Sequence, residues 1–264
     1  MPKQNGLFKL KGTLQGKCYY QLNGQYIVRK AVGPSRERIN TDPAFSNVKS
    51  NNQEFAAASK LSKALRQGLG DNAIRFKDSY MAGRLTGCCR KIIQKGSGLV
   101  GQREANLHNH PIALIGFQLK KELPFEQIYT AKPQINSNNT RHQIDINIPK
   151  SNSNHHNQMP GNATHFQLTA TLSLVSNLQW KPNCNAYQPT HSALHTLSIT
   201  NQTQPLLCKI EHTHIHMPLH MPTTVELQNT IAITVWLGIT YLKIDDGNYV
   251  TYQSPKAMAC IAVL

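Results

Sequence analysis

His165-Phe166-Gln167-Leu168-Thr169-Ala170-Thr171-Leu172-Ser173-Leu174-Val175 decides how the second half of this chain is read. Phe166, Leu168, Ala170, Leu172 and Leu174 recur at every second residue, the period of a strand with one apolar face. Ile144, Ile146 and Ile148 repeat the pattern in a shorter run. Downstream, residues 194–200, 206–216, 229–244, 249–252 and 257–264 read as further strands, and Asp245-Asp246-Gly247-Asn248 as a turn between two of them. About seven short strands with turn signals and no helices between them predict an antiparallel β-sandwich. The Asn-, Ser- and His-rich stretches at 136–140 and 151–162 read as long solvated loops.

Before residue 124 the period is different. Asp42-Pro43 reads as a helix start, Asp accepting from unpaired backbone N–H groups and Pro taking the first helical position; Gly68 and Gly70 end that helix. At about 100° per residue, Phe55, Ala58, Leu61, Leu65 and Leu69 share one face, with Lys49, Lys60 and Lys63 opposite. A second helix is predicted over about residues 72–95. Ile74, Met81, Leu85, Cys88 and Ile92 form its apolar stripe, and Lys77, Arg84, Lys91 and Lys95 a basic one beside it, close to Tyr80. Gly83 and Gly87 cost this helix about 1 kcal/mol each relative to Ala, unless a neighbouring backbone packs closely there. Upstream, Asn23-Gly24 between two apolar-polar runs predicts a two-residue hairpin over residues 17–30, with Leu22 opposite Gln25 and Tyr20 opposite Ile27. The chain is thus expected to be α+β. A basic hairpin and αα-hairpin occupy residues 1–103, a connector 104–123, and the β-sandwich 124–264.

The N-terminal third also carries an ordered set of short motifs. They are Lys11-Gly12-Thr13-Leu14-Gln15-Gly16-Lys17, Tyr20, Val28-Arg29-Lys30, Ser35-Arg36-Glu37-Arg38-Ile39 and Asp42-Pro43-Ala44-Phe45, then Asn52, Glu54-Phe55, residues 63–66 and Gly101-Gln102-Arg103. In order and spacing this segment, over about residues 6–103, resembles a family of uncharacterised Bacteroidota proteins grouped as a domain of unknown function. The resemblance implies a strand-rich remainder and no particular activity. The histidine-rich strand and Asn-rich loops depart from it.

Charge is lopsided. The 264 residues hold 28 Lys+Arg and 13 Asp+Glu; residues 1–103 account for 19 and 5 of these, residues 104–264 for 9 and 8. A basic block on a neutral body attracts polyanions and releases their counterions, so nucleic acid or another polyanion is the expected partner. Lys49, Lys60, Lys63, Lys77, Arg84, Lys91 and Lys95 are the candidate phosphate contacts, and Tyr19, Tyr20 and Tyr26 candidates for base stacking. The alternative is a structural or assembly protein, a component of a phage-like or filamentous particle, whose β-sandwich self-associates into a homo-oligomer.

No enzyme is expected. Gly-x-Ser-x-Gly is absent, no Cys/His arrangement is placed together, and Asp245 and Asp246 belong to a turn. Gly96-Ser97-Gly98-Leu99-Val100-Gly101 matches Gly-x-Gly-x-x-Gly as letters but follows a helix with no βαβ unit around it, so it reads as a flexible connector. No cofactor is expected beyond one candidate metal pair: His212 and His214, alternating with His216 in a predicted strand, stand about 7 Å apart and can share a zinc, with His191 or His195 as a third ligand. Residues 1–6 lack the apolar core of a secretory signal, and the run 231–242 falls short of the ~18 residues of a spanning helix. With six cysteines and no Cys-x-x-Cys, a reduced cytoplasmic location without membrane insertion is expected.

Overall fold

A computed structural model of the chain describes residues 2–31 and 33–264. The chain divides into two compact units, Met1–Lys49 and Ser50–Leu264. In the first unit β1 (Gly12–Leu14), β2 (Lys17–Leu22) and β3 (Gln25–Lys30) form an antiparallel sheet in the order β1-β2-β3. Asn23 and Gly24 hold φ of 48° and 78° between β2 and β3, and this turn sets Leu22 opposite Gln25 and Tyr20 opposite Ile27, as the sequence predicts. A β-branched side chain resists positive φ. Gly24→Val is therefore expected to destabilise this unit by about 1 kcal/mol or more, read as a lower urea midpoint of the hairpin tyrosine signal; an unmoved midpoint would refute the turn.

Ser35 caps α1 (Arg36–Thr41), its hydroxyl accepting from the Arg38 N–H. Asp42 accepts from the Ala44 N–H and opens a single 3₁₀ turn, Pro43–Phe45, that runs into α2 (Ser46–Leu69). The expected Asp-Pro start is thus present, one turn ahead of the regular helix.

The expected helix over residues 72–95 is two: α3 (Asp71–Phe76) and α4 (Met81–Gln94). Lys77 is extended, and the Asp78 carboxylate accepts from the backbone N–H groups of Tyr80 and Lys121 and from Arg84. The break resets the helical phase. Ile74, assigned to the apolar stripe, is 69% exposed, while Met81, Leu85, Cys89, Ile92 and Ile93 are the buried residues of α4. Cys88 is only partly buried. On α2, Phe55 is exposed and the buried face runs through Ala57, Ala58, Leu61, Leu65 and Leu69.

Beyond a short helix α5 (Phe125–Ile128), the strands of the unit pair antiparallel, with 3₁₀ turns and loops between them. Strands β4 (Gln134–Ser137) and β5 (Gln143–Ile148) precede β6 (His165–Ser176), and β7 (Leu178–Lys181) pairs with β8 (Ala186–Pro189) as a separate ribbon. Then follow β9 (Ser198–Gln202), β10 (Leu206–Leu207), β11 (Ile215–His220), β12 (Ile231–Asp245) and β13 (Asn248–Val263). One sheet has the order β10-β6-β12-β13 with β9 also on β6, and another the order β11-β5-β4. Three strand expectations change. Of residues 194–200, only 198–200 are strand, the start of β9. Residues 206–216 form the short β10 and the start of β11 with a loop between them. Residues 249–252 and 257–263 belong to one strand, because β13 keeps its pairing with β12 across a register shift between Thr240 and Leu242.

The five-stranded sheet is covered on both faces. Phe166, Leu168, Leu172, Ile233, Leu237 and Tyr241 share a core with Ile144, Ile146 and Met217 of the β11-β5-β4 sheet. Val175, Trp236, Met258 and Cys260 share a second core with Leu61, Leu65, Phe76, Leu85 and Ile92 of the helices. Gly68 of α2 lies so close to β6 that a Cβ there would fall 1.7 Å from Ser173 Oγ. Among the described residues, no helix is long and apolar enough to cross a membrane.

Candidate functional site

Eleven basic and three acidic residues lie between positions 46 and 103. Two of the three acids are consumed inside the fold. Glu54, on the first turns of α2, is buried and accepts from Arg103 Nε at 2.7 Å and Nη2 at 2.8 Å and from the Gly101 N–H at 2.9 Å. Burial pushes its carboxyl up, but the Arg103 guanidinium and the Gly101 N–H together hold it below the ordinary carboxylate value. Tyr187 Oη donates to the Gly101 carbonyl at 3.1 Å. The Gly-rich segment, expected as a flexible connector, is therefore tied at Gly101 to α2 and β8. Asp78 takes Arg84 Nη2 at 2.5 Å, and Arg84 also donates to the carbonyls of Gln118 and Leu119 and lies over the Phe117 ring.

This decides the fate of the seven candidate cations. Arg84 is a structural bracket between α4 and residues 117–119, although its spacing puts it on the basic stripe. Lys60 is exposed, and its ammonium donates to the Tyr187 carbonyl at 2.7 Å. Lys63, Lys77, Lys91 and Lys95 are exposed, and among the described residues none of the four forms an ion pair. Lys49 is exposed as well and is the last residue of the first unit.

The structure brings Lys63 and Lys77 together. They line a cleft of about 450 Å³ with Arg66, Asp71, Ile74 and Ala82, where α2, α3 and α4 meet. The cleft lies at the break between α3 and α4, with Lys77, Asp78 and Ser79 of the break in its lining. Arg66 is a cleft residue that the sequence reading does not include. Its place beside Lys63 on a lysine-rich helix is the signal that points to it. Asp71 is the one carboxylate of the cleft without an ion-pair partner among the described residues, so the lining is net basic.

The histidines do not sit as one alternating row. β11 begins at Ile215, so His212 and His214 lie ahead of it. His212 bridges Ser151 through backbone, turns its ring edge to Phe166, and its Nε2 lies 2.9 Å from the Leu207 carbonyl. His214 instead stacks on His216, which lies 3.1 Å from Asp145 Oδ1. Among the described residues, no three His, Cys, Asp or Glu side chains gather as a metal-ligand set. The stretch 151–162, expected as a solvated loop, instead sends Ser151 and His156 into the interior; His156 is ringed by Tyr129, Phe166 and Tyr241, and burial pushes its imidazole down to about 4. Tyr19, Tyr20 and Tyr26 lie on the hairpin of the first unit, with Arg29 over the Tyr20 ring and Lys9 over Tyr26.

Comparison with protein-family models, curated proteins and solved structures finds no match to this chain.

Proposed function

We propose that the helical surface of residues 50–103 binds nucleic acid through its phosphates, without catalysing a reaction. The observation that carries this reading is the internal pairing of Glu54 with Arg103 and Asp78 with Arg84, which leaves the outward charge of this segment almost wholly positive. Lys60, Lys63, Lys77, Lys91 and Lys95 then act as phosphate contacts, with Arg66 added in the cleft. Membership of the Bacteroidota family belongs to the same proposal and brings no activity with it, and cytoplasmic residence fits the six free cysteines. The two sheets that share a core are read as a β-sandwich on which the helices are mounted.

Affinity for a labelled 20-base-pair duplex, measured by fluorescence anisotropy on the intact chain, is expected to fall about a hundred-fold or more between 50 and 200 mM salt. Replacing the five lysines by Gln together should flatten the salt slope by roughly 0.9 for each phosphate no longer neutralised, while the melting temperature stays within a few degrees. No salt-sensitive binding at 50 mM, or an unchanged slope in the folded variant, would reject the reading.

A second reading, self-assembly, rests on Ile244, Tyr249 and Val250, large apolar residues left exposed at the β12-β13 hairpin. Light scattering that shows a concentration-dependent oligomer, abolished in Val250→Lys, is the result that would favour it over the first.

A further inference from the structure

The second unit holds another recess, distinct from the basic cleft. It measures about 320 Å³, at the small end of ligand clefts, and is lined by Gly98, Leu99, Gln102, Glu104, Gln179 and Trp180. Its parts are unlike one another. Trp180 is only partly buried, with its ring edge-on to Tyr187 at 5.3 Å, so an indole surface borders the recess. Leu99 adds an exposed apolar wall. Glu104 is held in place, its Oε1 accepting from Asn177 Nδ2 at 3.0 Å and Gln179 Nε2 at 3.5 Å, and its other oxygen takes no hydrogen bond among the described residues.

Three lysines connect to lining residues through the chain or through the β7-β8 ribbon. Lys181 follows Trp180 and Lys95 precedes Ser97 by two residues, both exposed. Lys60 donates to the carbonyl of Tyr187, the residue paired with Trp180 across the β7-β8 ribbon. An indole surface, a carboxylate with a spare acceptor and side-chain amides match the face and edge of one unpaired base.

We infer that this recess receives a single unpaired base of a nucleic-acid strand, stacked on Trp180, with Glu104 accepting from the base edge. This rests on the phosphate-binding reading above and adds to it that the ligand is single-stranded at this point. Guanine suits the one free oxygen best, because its amino group and ring N–H both turn donors to that edge, with a carbonyl on one side only. Thymine sets its one ring N–H between two carbonyls, which a carboxylate repels.

The chain has two tryptophans, and Trp236 is fully buried, so a change of indole emission on binding reports Trp180. Titration of the intact protein with a 12-nucleotide thymine strand carrying guanine at every third position should quench that emission, and Trp180→Phe should abolish the quench. Trp180→Ala should weaken single-strand affinity by roughly 5- to 100-fold while leaving duplex affinity within two-fold. Glu104→Gln should erase a several-fold preference over an all-thymine strand. If anisotropy shows both strand types bound while the emission stays still, or if Trp180→Ala binds the single strand as tightly as the parent, this inference fails and the phosphate reading stands. Equal affinity of the parent for the two single strands overturns the role given to Glu104. Binding of neither strand type removes both readings together.

Discussion

Glu54→Ala is expected to lower the unfolding free energy by about 3–5 kcal/mol, seen as a large drop in the urea midpoint of the helical signal. The reason is what the change leaves behind. Arg103 is left without either of its charge-assisted hydrogen bonds to Glu54 in a site where its side chain is mostly covered, and the Gly101 N–H is left without its acceptor in the interior. Glu54→Gln keeps an acceptor for Gly101 but removes the charge, so it should lie between the parent and the alanine variant. The same pair sets an acid limit. Because folding lowers the Glu54 pKa, its contribution is present above the ordinary carboxylate range and is lost as pH falls through the folded value. Stability of the parent should therefore fall below about pH 4 more steeply than that of Glu54→Gln. A loss under 1 kcal/mol in Glu54→Ala, or parallel acid profiles, would show that the pair does not hold residues 96–103 to α2.

Gly68→Ala should destabilise the protein although alanine is the better helix former. Propensity favours the substitution by about 1 kcal/mol. Against that, the new methyl would lie 1.7 Å from Ser173 Oγ and 2.6 Å from Ser173 Cβ, so α2 or β6 has to move, and overpacking of a filled interior costs typically 1–3 kcal/mol. The clash with a Cβ, which cannot swing away as a hydroxyl can, puts the cost at the upper end. A net loss of roughly 2 kcal/mol is expected. Ser173→Gly in the same chain should recover at least 1 kcal/mol relative to additivity. Gly83→Ala and Gly87→Ala serve as internal comparisons. Nothing lies within 4 Å of a Cβ at either position, so each should stabilise α4 by about 1 kcal/mol. If Gly68→Ala raises the urea midpoint as they do, the helix does not approach the sheet as closely as described.

What the sequence determined by itself is local. Asn23-Gly24 specified a two-residue turn and its register because those residues tolerate positive φ, and Asp42-Pro43 specified a helix start because a carboxylate caps backbone N–H groups. The period-two runs around Phe166 and Ile146 specified strands and their apolar faces. The α+β class and the basic character of the helical segment follow from the same patterns.

Other features depended on neighbours distant in the chain. Thr169, Thr171 and Ser173 are the polar positions of β6, yet they are buried, because the helices cover that face and small hydroxyl-bearing residues let a helix backbone come close. The helix break at residues 77–80 depends on Asp78 finding the Lys121 N–H, a partner that no local period reveals. For the same reason Arg84 looks like its lysine neighbours along the stripe, and only the carbonyls of Gln118 and Leu119 and the ring of Phe117 make it part of the interior. Spacing places a side chain on a face of its own element. Whether that face meets water, a carboxylate or another backbone is settled by packing, and with it which cations remain free to meet a phosphate.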